Sequence, residues 1–435
     1  MIDTREIASE ILQRIYKKQH LDKICNNEPN FNKLEQRDKN FIRLTVLETL
    51  RRNFQIDSII KRFLVKPLKY KRIKIHNLLR ISICQILFLK VSEYAVVNTS
   101  VEIAKKYKFH KLVNAILRNV CRQKKQLLNE FSNLSNLPSW ILKDLKKNLS
   151  PTEIQQISKV IIDEPELNIK IKKSFIKFKN WETIMNGKFV ESDVLLTKNN
   201  GKVNELPFFN EGIWWVQGLS SCLPVKCLDN LFPFSTRKEK KILEVCAAPG
   251  GKTAQLADYG FQSISLDISE NRISQLKTNL ERLNYKPEII CTDFLNFNPD
   301  QKYDAILLDA PCSASGLIQK KPEILITNKQ TDLKKLIVDQ KKLLEHSKEF
   351  VKIGGYIIYC VCSINNCEGY EQIKKFLKAN RNFSSVNHIE SIKKYGKIIS
   401  DNMLQIYPKQ FKFSDNINGY LDGFFISILK KEKNN

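Results

Sequence analysis

Glycine is missing from the first 135 residues, and proline is confined there to Pro29 and Pro67. Without such breakers, that stretch has few places to interrupt a helix. Histidine is scarce, at five, and no C-x-x-C pair occurs, so a structural zinc site is not expected and no metal is assigned. The eleven cysteines are odd in number and lack paired spacing in a chain of 435 residues. They do not form a secreted disulfide framework, which points to a reducing, cytosolic compartment. Most lie in apolar runs such as "RISICQILFL", where Cys84 reads as a small hydrophobe. The longest apolar run, "ISICQILFL", is too short to span a membrane. "MIDTREIASEILQRIYKKQ" is a mixed-charge helical pattern rather than a basic stub with an apolar core, so no signal peptide is expected. The "CAAPGGKT" loop fits neither G-x-x-x-x-G-K-[ST] nor G-x-G-x-x-G, which disfavours a triphosphate cradle and a dinucleotide.

Acidic residues are also in deficit, 46 against 72 Lys and Arg, for a formal charge of +26. A solvated basic surface would account for this; the sharper reading is a polyanionic partner, nucleic acid above all. Charge alone does not separate RNA from DNA or an anionic membrane. At 42% hydrophobic and 9% aromatic, the chain can build real cores, and its length predicts two or three domains.

Residues 1–135 read as helix after helix, with apolar residues three and four apart, and are expected to form an all-α domain. Its basic residues cluster at Arg43, Arg51, Arg52, Lys61 and Arg62, at Lys69, Lys71, Arg72 and Lys74, and at Arg118 and Arg122. Residues 136–205 mix a helical pair with short β-branched runs, "LNIKIKK" and "KFVESDVLLT", and are expected to form a small α/β linker domain. From 206 to 435, apolar strand-like runs alternate with helical ones: "KKILEVC", "QSISLDI", "PEIICTD", "YDAILLDAPC" and "GGYIIYCVCS". This alternation predicts a parallel sheet covered on both faces, a Rossmann-like α/β domain, with "NMLQIYP" and "GFFISILKK" adding antiparallel strands.

The reactive residues fall just past these strands: "CAAPGGKT" after the first, Asp267 after the second, Asp293 after the third, "DAPC" after the fourth and Cys362 after the fifth. In an open α/β sheet, the carboxyl ends of the strands border the ligand crevice. Asp267 there can accept both ribose hydroxyls of an adenosine, and Asp293 can meet an adenine amino group; each could equally be a helix-capping residue.

"EVCAAPGGKT", "LDISENRI", "CTDF", "LLDAPCSASG" and "YCVCS" resemble, in order, the motifs of S-adenosylmethionine-dependent RNA cytosine-5 methyltransferases. Over nearly its whole length the chain is similar to the RsmB/Sun family, which acts on 16S rRNA. "YAVVNTSVEIAKKYKFHKLVNAILRNV" resembles the NusB-type RNA-binding domain that these proteins carry at the amino end. The resemblance implies methyl transfer to carbon 5 of a cytosine, with S-adenosyl-L-methionine as cofactor, 16S rRNA as partner and a monomer acting in the cytoplasm. It implies Cys362 as the nucleophile, Cys312 as the cysteine that resolves the adduct, and Asp309 as the carboxylate at the cytosine and the methionyl end of the cofactor. Cys246, Ala247, Ala248, Pro249, Gly250, Gly251, Lys252, Asp267 and Asp293 would hold the cofactor, Lys252 adding positive potential.

The chain departs from the family pattern at Glu244 and Gly218, where Asp is usual, at Val361 for Thr, at Lys321 for His, and at Cys367 and Gly369 around Glu368. Cys360 reads as strand packing and Cys367 receives no role. A tRNA cytosine-5 methyltransferase shares these motifs, although the NusB-like segment favours rRNA. A non-catalytic RNA-binding scaffold would have no need of both thiols, and a DNA methyltransferase would carry its nucleophile in the fourth-strand "PC" alone.

Overall fold

The structure, a computed structural model, describes residues 3–69, 72–131, 136–198, 202–328, 330–387, 389–400 and 402–433; Lys71 of the basic cluster lies outside them. The chain divides into two compact units, Met1–Glu164 with Ile318–Gln330, and Pro165–Leu317 with Thr331–Asn435.

The first unit is helical. Its main helices are Thr4–Tyr16, Gln36–Arg51, Asn53–Phe63, Ile73–Leu87, Glu93–Lys105 and His110–Arg122. Asp3 caps the first, accepting from the Arg5 N–H at 2.8 Å, and Ile7, Ile11, Leu12 and Ile15 bury one stripe of it. Twelve of the fifteen residues of Ile73–Leu87 are buried, so this helix is the centre of the bundle. Its Arg80 is held bidentate by Asp57 at 2.6 and 2.7 Å, which satisfies a charge that burial would otherwise penalise. The basic clusters are not one uniform surface. Arg51 is 4% exposed, lies 3.7 Å from Glu48 and donates to the Gln319 carbonyl at 3.3 Å. Arg52 also pairs with Glu48, Arg43 with Asp22 at 3.0 Å, and Arg62 with Glu130. Lys61, Lys66, Lys69, Arg72, Lys74, Arg118 and Arg122 are exposed.

The second unit opens with a four-stranded antiparallel sheet of β1 (Leu167–Ile171), β2 (Gly187–Glu191), β3 (Val194–Thr197) and β4 (Trp214–Val216), in the order β2-β3-β1-β4. The expected 136–205 segment is therefore divided. Helices Ser139–Leu145 and Pro151–Ile162 belong to the first unit, while β1 pairs with a strand beyond 205. Lys170 of β1 is 1% exposed and bonds Asp193 at 2.5 Å and Tyr259 at 3.2 Å, fastening this sheet to the larger one.

The larger sheet contains β5 (Lys241–Val245), β6 (Gln262–Asp267), β7 (Glu288–Cys291), β8 (Tyr303–Asp309), β9 (Val351–Val361), β10 (Phe383–Ser385), β11 (Lys397–Ile398), β12 (Leu404–Ile406) and β15 (Phe424–Lys431). The strands β13 (Lys409–Ser414) and β14 (Ile417–Leu421) form a separate hairpin. The order is β11-β12-β15-β9-β8-β5-β6-β7, with β10 beside β15. All pairings from β9 to β7 are parallel; β12 and β15 add antiparallel partners, as the apolar runs predicted, and the short β10 and β11, which they did not mark, add two more. Ile306, Leu307 and Leu308 of β8 are fully buried, each contributing about 1.5–3 kcal/mol. Strand order reverses at β5, flanked by β6 and β8, and the carboxyl ends of these strands border the crevice.

Candidate active site

β5 runs out at Val245, and Cys246 turns the chain at φ +63°. The Ala247 N–H bonds back to the Leu266 carbonyl at 2.9 Å, and that of Gly250 to Ala247 at 3.0 Å. The Ala248–Pro249 bond is cis. Gly250 takes φ +99° at the amino end of helix Gly251–Asp258, a conformation that favours glycine; a Cβ there would stand 3.1 Å from Leu276. The loop is thus a tight backbone cradle.

Asp267 is 3% exposed, and both of its oxygens are used. Oδ2 accepts from the Ala248 N–H at 3.1 Å, and Oδ1 from the Ser269 N–H at 3.1 Å; Arg272 lies 3.3 Å from Oδ2. Asp267 therefore shapes the cradle as well as facing the crevice edge. The next residue, Ile268, is 66% exposed, an apolar side chain left open at the carboxyl end of β6. Asp293 caps a short 3-10 turn, accepting from the Leu295 N–H at 3.0 Å, so it realises the capping alternative.

Asp309 ends β8 directly opposite Cys360 of β9. Lys252, 7% exposed, reaches it from the cradle helix at 2.7 Å. Burial works against the lysine's charge, but Asp309, with Cys360 and Cys362 nearby, more than offsets it and raises its pKa. Cys360 donates to the other oxygen of Asp309 at 3.5 Å, and burial, then Asp309, keeps it a thiol. Cys360 is packed as its strand position implied, yet it also touches the site. Cys246 is pushed up to about 12 by burial and by Asp309 and Asp267.

Cys312 and Cys362 leave adjacent strands and place their sulfurs 3.3 Å apart. The bond to Cys362, then burial, holds the Cys312 pKa well above that of an ordinary thiol, and either sulfur can be the donor of the pair. Val361 is fully buried in the core, where its methyl groups pack in place of the usual hydroxyl. Lys252, Asp309, Cys312, Cys360 and Cys362 form one connected cluster, whereas Asp267 and Asp293 stand at the ends of β6 and β7. Sequence patterning did not mark the Lys252–Asp309 pair, Arg272 or the buried Glu368 beside the thiols; only "GGKT" and the motif glutamate pointed near them. Among the described residues, no group of three or more His, Cys, Asp or Glu is arranged to hold a metal ion, and no helix is long and apolar enough to cross a membrane.

Residues 233–430 match the family model of the 16S rRNA methyltransferase RsmB/F, and residues 2–122 match the NusB family. The ribosomal RNA small subunit methyltransferase B of Citrobacter koseri is 30% identical over 394 residues, covering 86% of this chain and 90% of that one. The chain belongs to the RsmB/F family. Its counterpart from Shewanella oneidensis is 32% identical over 338 residues, covering 74% of this chain and 77% of that one. Among solved structures, PH0851 superposes with a TM-score of 0.74 at 20% identity, covering 99% of both chains. NSun6 from Pyrococcus horikoshii, solved with SFG, gives 0.56 at 18% identity over 68% of this chain and 99% of that one. These two likenesses establish the fold. As an RsmB/F member, the chain is an RNA methyltransferase with S-adenosylmethionine as its methyl donor.

Proposed function

We propose that this enzyme methylates carbon 5 of one cytosine in 16S rRNA, in the cytoplasm, through a covalent bond between Cys362 and carbon 6 of the base. The observation that carries this reading is the thiol pair, 3.3 Å apart beside an ion pair of buried Lys252 with half-buried Asp309.

Carbon 5 of cytosine is a weak nucleophile. Addition of a thiolate to carbon 6 turns the ring into an enamine whose carbon 5 can attack an electrophilic methyl group. Cys362 forms that bond, and Lys252, which interacts with it electrostatically, places a fixed positive charge in the same cluster. Asp309 faces the ring nitrogen and exocyclic amine, where charge accumulates. The cradle of residues 246–252, with Asp267 and the exposed Ile268, would hold the adenosine and methionyl parts of the cofactor, Asp267 supplying acceptor oxygens and Ile268 an apolar surface. Bound there, the cofactor supplies a sulfonium methyl group.

Release requires the carbon 5 proton to leave. Cys312, its sulfur 3.3 Å from that of Cys362, is the base placed for this step once it has given its own proton to solvent. Its thiolate then takes the proton. The electrons of the C–H bond rebuild the 5,6 double bond as the bond to Cys362 breaks.

Cys362→Ala should abolish both methylation and covalent capture of RNA, while Cys312→Ala should still capture RNA but accumulate the adduct at least about 100-fold over wild type. Bisulfite sequencing of rRNA and tRNA from cells with and without the protein reads the target. Full turnover by Cys362→Ala would overturn the covalent route, and a lost site in tRNA alone would overturn the rRNA assignment.

A further inference from the structure

Each thiol is followed by a serine, in Cys312–Ser313 and Cys362–Ser363. The two serines come from loops fifty residues apart in sequence and end on one carboxylate. Ser313 Oγ and Ser363 Oγ each donate to Glu368 Oε2 at 2.5 Å. The Ser313 N–H donates to Oε1 at 2.7 Å. Asn365 Nδ2 reaches Oε2 at 2.9 Å, and Gln340 Nε2 reaches Oε1 at 3.1 Å. Glu368 is fully buried. Five neutral donors converge on two oxygens, an arrangement that suits an acceptor-only carboxylate and leaves little room to move.

We propose that Glu368 is the positioning residue of the thiol pair: by tethering the residue after each cysteine, it sets how closely Cys312 stands to Cys362, and hence how fast the RNA adduct is formed and released. The catalytic half of this proposal rests on the covalent reading above; the geometric half does not. A loop fixed by hydrogen bonds on both sides is what allows two sulfurs from different strands to share one ring, and a displacement of about 1 Å can cost about 100-fold in rate.

The geometric half is tested on the full-length protein without RNA, in glutathione redox buffers. The two thiols give two electrons and two protons to one glutathione disulfide, forming the Cys312–Cys362 disulfide and two molecules of reduced glutathione. Peptide mass spectrometry reads the fraction closed, and its dependence on buffer ratio gives the effective molarity of the pair. Glu368→Gln keeps the size but turns one acceptor into a donor that faces other donors. Its effective molarity should fall at least about tenfold, and kcat for RNA methylation about 100-fold, with the KM for S-adenosylmethionine within about twofold of wild type. Glu368→Asp, which keeps the acceptor, should recover part of both. A folded Glu368→Gln with wild-type effective molarity overturns the proposal. If that variant does not fold, the double variant Ser313→Ala/Ser363→Ala, which retains the carboxylate, carries the same expectations and the same overturning result. A wild-type protein that leaves cytosine unmethylated, while Glu368→Gln still loses effective molarity, would refute the covalent reading and support the clamp.

Discussion

Glu244 carries its carboxyl group where a charge is least welcome. It is fully buried in β5; Oε2 accepts from Thr253 at 2.6 Å and from Ser265 at 2.8 Å, while Oε1 meets no donor. Burial pushes its pKa up from 4.5 to about 7. A carboxyl group that titrates higher when folded keeps a proton the unfolded chain has already lost. Stability should therefore fall as pH rises from about 4.5 to about 7, by about 3 kcal/mol if that shift is fully expressed, and stay reduced above it. Glu244→Gln removes the ionisation while its amide oxygen can accept the same two hydroxyls. Urea midpoints of the two proteins should diverge between pH 5 and 8 in favour of the variant; parallel pH profiles would refute this account. Position 244 was legible as a departure from Asp, but its orphaned oxygen was not, because its neighbours come from a helix and from β6. Cys360 teaches the same point. Strand alternation correctly implied burial, but its contact with Asp309 crosses between two strands and depends on a register that no local pattern encodes.

At the level of elements, β5, β8 and β9 were readable because strands buried on both faces are largely apolar, and the reactive residues fall at or just past their carboxyl ends. The small sheet was not readable as a unit. β1 finds its partner β4 more than forty residues later, past the boundary that composition suggested, and three-residue strands carry almost no periodic signal. The basic run around Arg51 misled in a different way, since charge composition cannot tell a solvated arginine from one paired with Glu48 inside a bundle. One junction between elements is consequential for the site. In the loop that carries Cys312, a Cβ on Gly316 would lie 1.9 Å from the Gly423 carbonyl oxygen, and the Gly423 N–H donates to Gly316 at 2.9 Å. The turn leading into β15 is thus pressed against the thiol loop with no room for a methyl group. Gly316→Ala must separate them, at a cost of about 1–3 kcal/mol. The expected result is a lower urea midpoint together with slower single-turnover methylation, while S-adenosylmethionine affinity stays near wild type because the cradle lies on β5. Wild-type stability in this variant would show that the two loops part more freely than their contact implies.

Across the whole molecule, the 72 basic and 46 acidic side chains include those paired within the protein, so only part of the excess is open to a partner. Arg51, Arg52, Arg62 and Arg80 are spent on Glu48, Glu130 and Asp57. What stays available to a polyanion in the helical unit includes Lys61, Lys66 and Lys69, all exposed, with Val65 between them at 99% exposure. Such side chains contact phosphates and position an RNA without reading its sequence. If these three lysines each neutralise one phosphate of single-stranded RNA, changing them together to glutamine should flatten the slope of log affinity against log salt by about 2, since each contact releases about 0.7 of a counterion. Equilibrium binding of a 16S rRNA fragment across a salt series measures that slope. At saturating RNA, kcat should be unchanged, because the thiols, Asp309 and the cradle belong to the other unit; KM for RNA should rise, and more so at physiological salt than at low salt. An unchanged slope would mean that the RNA is held elsewhere and that this lysine run is only a solvated face, whereas a fall in kcat with an unchanged KM would tie these lysines to the chemistry instead of to capture.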